Sequence, residues 1–336
     1  MRKASIVIGS PFFKGNRLFD LNDPVANRDN CLYPFHLLRE AFKLQGVDLA
    51  TSDINVPAAS DVVIYNEMPK VLPAPSNYDK SYLILFESAL IRPDNWDIDK
   101  HKSFKKIFTW NDDFVDNKKY FKINFSSEVP SVINKDLSKK SKLCTLIAGN
   151  KKVSHPLELY SKRVEAIRWF EKEHPQDFDL YGVGWDSFRF RGPKIVRALN
   201  KIKPLTKMLA PVYPSYKGMV DSKKEVLETY KFAICYENGR DIQGYITEKI
   251  FDCFFAGCVP VYWGANNIVD HIPKECFIDR CQFSSYEAMY DYMISMPEKE
   301  YIGYLDNIEK FLLSERALPF TAQFFAEVIV SQASDI

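Results

Sequence analysis

The sequence predicts an α/β fold with parallel sheets, and three observations support this prediction. Short apolar stretches of strand-like composition alternate with amphipathic helical stretches along the chain. Residues 232–263 form one uninterrupted strand, loop, helix and strand, a unit that makes a right-handed crossover within a parallel sheet. The chain has 336 residues, of which 46% are hydrophobic, and this is enough for two domains.

Composition argues against several functional classes. The formal net charge is +1, so no overall basic excess favours a nucleic-acid partner. No apolar run approaches the roughly 20 residues of a membrane span, and the short run before Ser10 and Pro11 predicts a first strand rather than a signal peptide. The seven cysteines lack metal-ligand spacing. Cys235, Cys253 and Cys258 lie in apolar runs as expected for buried thiols, and we expect a cytoplasmic location.

The first half of the chain predicts an open sheet. A helix is expected at residues 32–44, where apolar side chains recur with helical spacing and Gly46 follows. Residues 126–142 contain Pro130 and several lysines and are typical of a link between domains. The predicted strands are residues 4–10, 47–50, 62–65, 82–86 and 105–110.

A carboxylate follows one of these strands directly. Glu87 comes after residues 82–86, and the carboxyl ends of central strands are where α/β folds place their chemistry. Glu87 is therefore a candidate for chemistry. The alternative is an ordinary strand-end glutamate that caps a nearby helix.

The second half repeats the alternation of strands and helices. The predicted strands are residues 143–148, 178–181, 232–236 and 259–263. The predicted helices are residues 159–171, the stretch that begins at Thr247, and residues 286–295, 298–313 and 321–332.

The helix that begins at Thr247 follows the polar loop 237–245, which lies in the ligand position of a parallel sheet. Its free N–H groups and positive dipole end suit an anionic group such as a pyrophosphate. A positive charge at Lys249 is unfavourable beside the positive end of the helix dipole unless a negative ligand group lies over the helix end. Glu248 can accept hydrogen bonds from sugar hydroxyls. The alternative is a solvated helix start, with Tyr245 serving only for packing.

Residues 189–207, the basic segment, belong to a stretch (188–220) that holds eight Lys and Arg but neither Asp nor Glu. Apolar residues between the charges predict an amphipathic segment that contacts an anionic membrane or a phosphate-rich acceptor. The alternative is a solvated helix that covers the domain. Lys217 is a candidate second positive charge for a nucleotide diphosphate. The apolar residues are Ile195, Leu199, Ile202 and Leu205.

Residues 230–279 resemble the signature of glycosyltransferase family 10, the α-1,3/1,4-fucosyltransferases. The order and spacing of the signature are retained, and the similarity outside it is thin. The matching residues are Tyr230, Lys231, Phe232, Tyr236, Glu237, Asn238, Tyr245, Ile246, Thr247, Glu248, Lys249, Ala256, Gly257, Val259, Pro260, Val261 and Gly264.

The resemblance implies a GT-B fold, in which two Rossmann-like domains face each other across a cleft. Residues 1–135 would bind the acceptor and residues 136–318 the nucleotide-sugar donor. Residues 319–336 would form a helix that crosses back to the first domain. The chain is similar to the soluble bacterial members, so we expect a cytoplasmic protein, with the basic segment as a peripheral contact to the inner membrane face.

The resemblance also implies an inverting transfer of L-fucose from GDP-β-L-fucose to a hydroxyl of an oligosaccharide or lipid-linked glycan, in an α-1,3 or related linkage. Lipopolysaccharide or capsule synthesis is the expected setting. One alternative is a transferase that uses another nucleotide-linked deoxysugar. A different class of alternative is a non-catalytic protein that binds nucleotide sugars or glycans.

In this family a glutamate at a strand end acts as general base, and the Phe86, Glu87, Ser88 triplet is similar to that element. We expect no obligatory metal because the signature region lacks a D-x-D motif, although Asp112 and Asp113 leave a divalent ion or acceptor contact as an option. Lys249→Ala is expected to lower turnover and leave the fold intact. The predicted donor-binding residues are Arg163, Lys217, Glu237, Asn238, Tyr245, Thr247, Glu248 and Lys249.

Overall fold

The computed structural model describes residues 2–333 and contains two separate sheets. All strand pairs within each sheet are parallel. The first sheet has the order β2-β1-β3-β4-β5-β6, with β1 Arg2–Ile8, β2 Val47–Thr51, β3 Val62–Asn66, β4 Ser81–Leu85, β5 Lys106–Thr109 and β6 Tyr120–Lys122. The second has the order β11-β10-β9-β7-β8, with β7 Lys142–Ile147, β8 Phe178–Tyr181, β9 Tyr230–Tyr236, β10 Val259–Trp263 and β11 Ile278–Asp279.

Helices cover the faces of both sheets. We call the part around the first sheet the first lobe and the part around the second sheet the second lobe. The α-helices are α1 Tyr33–Leu44, α2 Ile98–His101, α3 Tyr160–Glu173, α4 Lys194–Ala198, α5 Lys203–Met208, α6 Lys223–Leu227, α7 Glu248–Phe255, α8 Ile268–His271, α9 Tyr286–Ser295, α10 Glu298–Leu312 and α11 Ala322–Ala333. Parallel sheets with helices confirm the predicted α/β class.

Each lobe has its own apolar core. In the first lobe, Leu38 and Phe42 of α1 pack with the sheet residues Ile6 and Ile64, and all four are fully buried. In the second lobe, a larger cluster joins β7, β9 and β10 to α3, α7 and α10. Burial of complete apolar side chains at these positions fixes which face of each helix turns inward.

The last helix of the chain packs on the first lobe, although it follows the second lobe in sequence. Phe325 and Ile329 of α11 are fully buried in the first core, and the rings of Phe35 and Phe325 lie 5.8 Å apart. On its way back the chain passes beside residues 126–142, which link the two lobes, and the Ala322 N–H donates to Ser127 O there. The exact division at residues 135, 318 and 319 remains a proposal.

The strand orders place a ligand crevice in each lobe. In each lobe the first strand lies between the second and the third strand of that lobe. The connections that leave β1 and β3 in the first lobe, and β7 and β9 in the second lobe, therefore run toward opposite faces of their sheet. The loops after β7 and β9 therefore separate and open a crevice at the carboxyl ends of these strands.

The basic segment differs from the single covering helix that the alternative assumed. It forms the two short helices α4 and α5, with a single turn between them. Leu199 and Leu205 are half-buried, whereas Ile195 is 85% and Ile202 is 48% exposed. A helix that covers the domain would bury all four apolar side chains, so this alternative agrees with Leu199 and Leu205 but not with Ile195 and Ile202. Within residues 2–333, no helix has the length and apolar character that crossing a bilayer requires.

Candidate active site

A cavity of about 320 Å³ lies between the lobes at the carboxyl ends of β4, β7 and β9. Glu87 and Phe125 reach it from the first lobe, and the loop after β7 and the start of α7 reach it from the second. This is the crevice that the strand order of the second lobe creates. Most of the predicted site residues meet here: Glu87, Arg163, Asn238, Tyr245, Thr247, Glu248 and Lys249.

Glu87 offers a carboxylate that no protein group occupies. Within residues 2–333 its carboxylate makes no hydrogen bond and no ion pair, so the helix-capping alternative is wrong. Burial raises the pKa of Glu87, and the nearby charges of Lys151 and Lys249 oppose that rise. A free carboxylate of raised pKa that faces a cavity is suited to accept a proton from a bound hydroxyl.

The start of α7 is organised around Glu237, which is completely buried. Thr247 donates to its carboxylate from the backbone N–H at 2.8 Å and from the hydroxyl at 2.7 Å. Lys249 Nζ lies 3.1 Å from the same carboxylate and 2.8 Å from the Thr247 hydroxyl. These bonds hold Lys249 at the helix end, which differs from the freely solvated helix start that the alternative assumed.

Lys249 is held in its charged form. Burial opposes the charge, but Glu237 and Glu248 outweigh burial and raise the pKa of Lys249. Burial likewise opposes ionisation of Glu248, whereas Lys249 and Lys223 lower its pKa to about 2. The start of α7 therefore presents one fixed ammonium and one fixed carboxylate to the cavity at neutral pH.

Arg163 supports the loop that carries Asn238. Its guanidinium donates to Tyr236 O and, at 3.1 Å, to Asn238 Oδ1, while the side chain is only 4% exposed. Burial lowers the pKa of Arg163. Asn238 Nδ2 in turn donates to the Tyr245 hydroxyl at 3.3 Å. The arrangement fixes one wall of the cavity and leaves Arg163 facing it.

Two predicted donor-binding residues lie away from the cavity wall. Glu237 is enclosed behind Thr247 and Lys249, so its role is to hold the helix end rather than to contact a donor. Lys217 lies 3.3 Å from Asp179 on β8, the edge strand of the second sheet. A bridge between Leu180 and Tyr216 aligns this part of the chain with that edge, which turns Lys217 away from the crevice.

Several charged residues of the cavity were not predicted. Lys151 follows β7, as Glu87 follows β4, so the strand-end rule could have indicated it. Asp252 lies one turn after Glu248 on α7 and pairs with Lys223 at 2.7 Å. Burial raises the pKa of Asp252 to about 6. Arg28 reaches the cavity from a long loop of the first lobe, and no local pattern indicates it.

The polar pair after β5 ties the lobes together on one side of the cavity. Asp112 accepts from His271 and Asn267 of the second lobe, each at 2.8 Å, and pairs with Lys122. Although burial opposes ionisation, bonds from His271 and Lys122 hold the pKa of Asp112 well below its usual range. Three donors of the protein bind this carboxylate, which argues against a metal ion or an acceptor contact at Asp112.

The same side of the cavity is closely packed. Gly244 has a φ of +74°, and a Cβ added there would lie 2.4 Å from Trp110 O. The rings of Trp110 and Tyr245 are 4.7 Å apart. Within residues 2–333, no group of three or more His, Cys, Asp or Glu side chains is arranged to hold a metal ion.

Comparison with known proteins agrees with the resemblance seen in the signature. The family model described as glycosyltransferase family 10 (fucosyltransferase), C-terminal part, matches residues 137–318. An α-(1,3)-fucosyltransferase, FucT, of Helicobacter pylori is 34% identical over 137 residues, which cover 37% of this chain and 28% of the relative. An α-(1,4)-fucosyltransferase of Arabidopsis thaliana is 38% identical over 64 residues, which cover 19% of this chain and 16% of the relative. The matches thus span less than a third of each relative's length.

Solved structures share the architecture. A crystal structure of an α1,3-fucosyltransferase with GDP-fucose superimposes with a TM-score of 0.52 at 14% identity, covering 99% of this chain and 90% of the other. The Anabaena protein HepE in complex with UDP-glucose gives a TM-score of 0.56 at 9% identity, with both chains fully covered. At these identities the likeness concerns the fold, and it confirms the predicted GT-B arrangement. Because the family model covers more than half of its residues, the chain belongs to glycosyltransferase family 10.

Proposed function

We propose that the protein is an inverting fucosyltransferase that moves L-fucose from GDP-β-L-fucose to a hydroxyl of a glycan, in an α-1,3 or related linkage. One observation carries the proposal: a free carboxylate from one lobe, Glu87, and a fixed ammonium from the other, Lys249, line the same cavity. The family membership supports the choice of a sugar donor, and the names of the relatives support fucose.

The second lobe would hold the diphosphate of the donor. Lys249 and the start of α7 line the cavity, and in this proposal they face the negative charge that develops as the bond between the sugar and GDP breaks. Lys151 and Lys223 add positive charge to the same wall. Phosphate oxygens would then gain charge-assisted hydrogen bonds in place of water. Glu248 and Asn238 are placed to accept from, or donate to, the hydroxyls of the ribose or the fucose.

Glu87 would remove the proton from the acceptor hydroxyl as that oxygen attacks the anomeric carbon of fucose. The new carbon–oxygen bond forms on the face opposite the departing phosphate oxygen, so the β-linkage of the donor becomes an α-linkage. The proton ends on Glu87, and the electron pair of the broken bond leaves with GDP. A base placed in this way contributes about 10²–10⁴-fold to a rate.

The experiment is a donor and acceptor panel. Purified protein is incubated with GDP-fucose and a galactosyl-N-acetylglucosamine disaccharide, the acceptor type named for the mouse relative 4-galactosyl-N-acetylglucosaminide 3-alpha-L-fucosyltransferase 9. GDP release and the product mass are measured, and NMR gives the anomeric configuration. We expect acceptor-dependent GDP release and an α-fucoside. A β-linked product would contradict inversion.

Two other results would replace the proposal. Release of GDP from another GDP-deoxysugar, but not from GDP-fucose, would favour the alternative donor. Tight binding of GDP-fucose without release under any acceptor of the panel would favour a non-catalytic binding protein. A bacterial surface glycan as the natural acceptor and a cytoplasmic location remain parts of the proposal, as does a metal-independent reaction, which assays with EDTA and with added Mg²⁺ or Mn²⁺ would test.

Contact of the basic segment with an anionic membrane is a further part of the proposal. Charge and exposure support it, because the segment carries Lys and Arg without Asp or Glu, and Ile195 and Ile202 are exposed between them. Met208, at the end of α5, is 74% exposed. Exposed basic and apolar side chains that are close in sequence favour the boundary of an anionic bilayer.

A further inference from the structure

A second glutamate of the first lobe, Glu67, lies directly behind Glu87. It follows β3, the strand that pairs with β4, and its own N–H donates to Ile84 O at 2.9 Å. The backbone of Glu67 has a φ of +73°, a left-handed conformation that residues other than glycine rarely adopt. Such a conformation persists where the surrounding contacts determine it, and it is frequent at functional sites.

The carboxylate of Glu67 binds the backbone at Glu87. One of its oxygens accepts from the N–H of Glu87 at 2.9 Å and from the N–H of Phe86 at 3.2 Å. Its other oxygen accepts from the side chain of Asn95, which is completely buried. The side chain of Glu67 thus ends the β3–β4 pairing by taking the two N–H groups that follow β4.

The remaining polar groups of the same backbone are bound as well. Glu87 O accepts from Asn95 Nδ2 at 3.1 Å and from Trp96 Nε1 at 3.0 Å. Trp110 Nε1 donates to Phe86 O at 2.6 Å. Both peptide groups that flank the Glu87 Cα are therefore fixed, and Asn95 joins Glu67 to Glu87. The carboxylate of Glu87 is the one part of this residue that the bonds leave to the cavity.

We propose that Glu67 is a positioning residue for the reaction: through the amides of Phe86 and Glu87 it holds the Glu87 carboxylate at the point where the acceptor hydroxyl is deprotonated. The inference rests on the proposed function. It assigns Glu67 no contact with substrate, because Glu67 lies outside the cavity wall among the described residues. Groups that orient a reacting side chain matter because small displacements of the reacting atoms cost large factors in rate.

The charges around Glu67 agree with a supporting role. Burial raises the pKa of Glu67 to about 7, and the charge of Glu87 adds to the rise. Arg92 also interacts electrostatically with Glu67, and the Arg92 guanidinium is bound to Asp94 and to Met68 O. Glu67 therefore occupies a position where its charge is disfavoured, and its carboxylate is bound there by the N–H groups of Phe86 and Glu87.

The test compares three substitutions. Glu67→Gly removes the carboxylate and keeps the left-handed backbone free of strain. Glu67→Asp tolerates the same backbone but draws the carboxylate back by one methylene. Glu67→Gln keeps the length and one acceptor oxygen for the two amides. The readouts are kcat for fucosyl transfer with the acceptor that is active in the panel, the affinity for GDP, the pH dependence of kcat/KM, and the melting temperature.

We expect kcat to fall about 10–100-fold for Glu67→Gly, by an intermediate factor for Glu67→Asp, and least for Glu67→Gln. GDP affinity should be unchanged in all three, since the donor groups lie on the other lobe, and the acid limb of the kcat/KM profile should move where kcat falls. A merely structural role would lower the melting temperature without a fall in kcat at unchanged GDP affinity and without a shift in the pH profile.

Wild-type kcat and an unchanged pH profile in both Glu67→Gly and Glu67→Asp would overturn the inference. If Glu67→Gly does not fold, Glu67→Asp alone decides by the same criterion. A wild-type protein that transfers no fucose would instead overturn the proposed function, so the two failures are distinguishable.

Discussion

Glu87 and Glu237 both stand at the carboxyl end of a buried parallel strand, one in each lobe, and the structure treats them in opposite ways. Each follows a buried parallel strand, β4 or β9, at its carboxyl end. The carboxylate of Glu237 is completely buried and bound by Thr247 and Lys249. The carboxylate of Glu87 is left free at the cavity, while its backbone is bound.

The difference shows that a strand end provides a place for chemistry but does not decide what the side chain does there. Glu237 has a helix start directly beside it, with a hydroxyl, an N–H and an ammonium that need an acceptor. Glu87 has the gap between the lobes beside it. The partner supplied by the next element therefore determines whether a strand-end carboxylate becomes structural or reactive.

The largest effect is expected from Glu87→Gln. The amide cannot accept the proton of the acceptor, so kcat should fall about 10²–10⁴-fold, with GDP affinity unchanged. The measurements are fucosyl-transfer kinetics and GDP titration by calorimetry. Glu128→Gln is a control in the same lobe, because Glu128 is an exposed glutamate that is bonded to Asn30 outside the cavity. Retention of wild-type kcat in Glu87→Gln would remove Glu87 from the reaction.

Lys249→Ala should lower turnover about 10²-fold or more, because the charge that develops on GDP loses its counterion. The ion pair with Glu237 adds a cost in stability to the expectation that the fold stays intact. The substitution leaves the buried Glu237 without its ion pair and should cost about 3 kcal/mol of unfolding free energy.

The double variant Lys249→Met with Glu237→Gln separates these two effects. It removes the charge of both partners, so we expect stability close to wild type and turnover as low as in Lys249→Ala. Chemical denaturation and kinetics provide the two readouts. Recovery of turnover together with stability would mean that Lys249 acts only through the fold.

Two lysines test where the diphosphate binds: Lys223 lines the cavity but was not predicted, and Lys217 was predicted but lies away from it. Lys223→Ala should weaken GDP binding about tenfold, because its ammonium belongs to the cavity wall. Lys217→Ala is the control, and we expect unchanged GDP affinity because Lys217 pairs with Asp179 at the sheet edge. Equal losses in both variants would show that the diphosphate lies nearer to β8 than we propose.

The pH dependence gives a smaller but directional effect. In the proposed reaction the ionised form of Glu87 is the reactive form, and burial raises the pKa of Glu87. The value of kcat/KM should therefore fall as the pH is lowered through a pKa above the ordinary value for glutamate, and this limb should be missing in Glu87→Gln. An acid limb at or below the ordinary value would contradict the free, half-buried carboxylate.

The smallest expected effect concerns the basic segment. Ile195→Glu should reduce sedimentation of the protein with vesicles that contain phosphatidylserine, and activity on a soluble disaccharide should be unchanged. Leu44→Glu is the matched control, since Leu44 is 87% exposed on α1, away from the basic segment. Equal binding of both variants and wild type would remove the membrane contact from the proposal.

The fold and the core of the site were predictable from the sequence because they rest on local patterns. The strand before Glu87 and the helix after Thr247 have clear periodicity, and the family signature adds the residues around Lys249. The prediction that Lys217 binds the donor relied on its closeness to the signature in sequence. In the folded protein Lys217 instead lies beside the edge strand β8, where it pairs with Asp179. Arg28 and Glu67 were missed because their roles depend on loops that meet only in the folded protein.

A crystal structure of the protein with GDP-fucose tests the central claim most directly. We expect the diphosphate oxygens within hydrogen-bonding distance of Lys249 and the first N–H groups of α7. The anomeric carbon should then lie between the diphosphate and the carboxylate of Glu87. A diphosphate bound away from the start of α7, or a sugar that Glu87 does not face, would contradict the account.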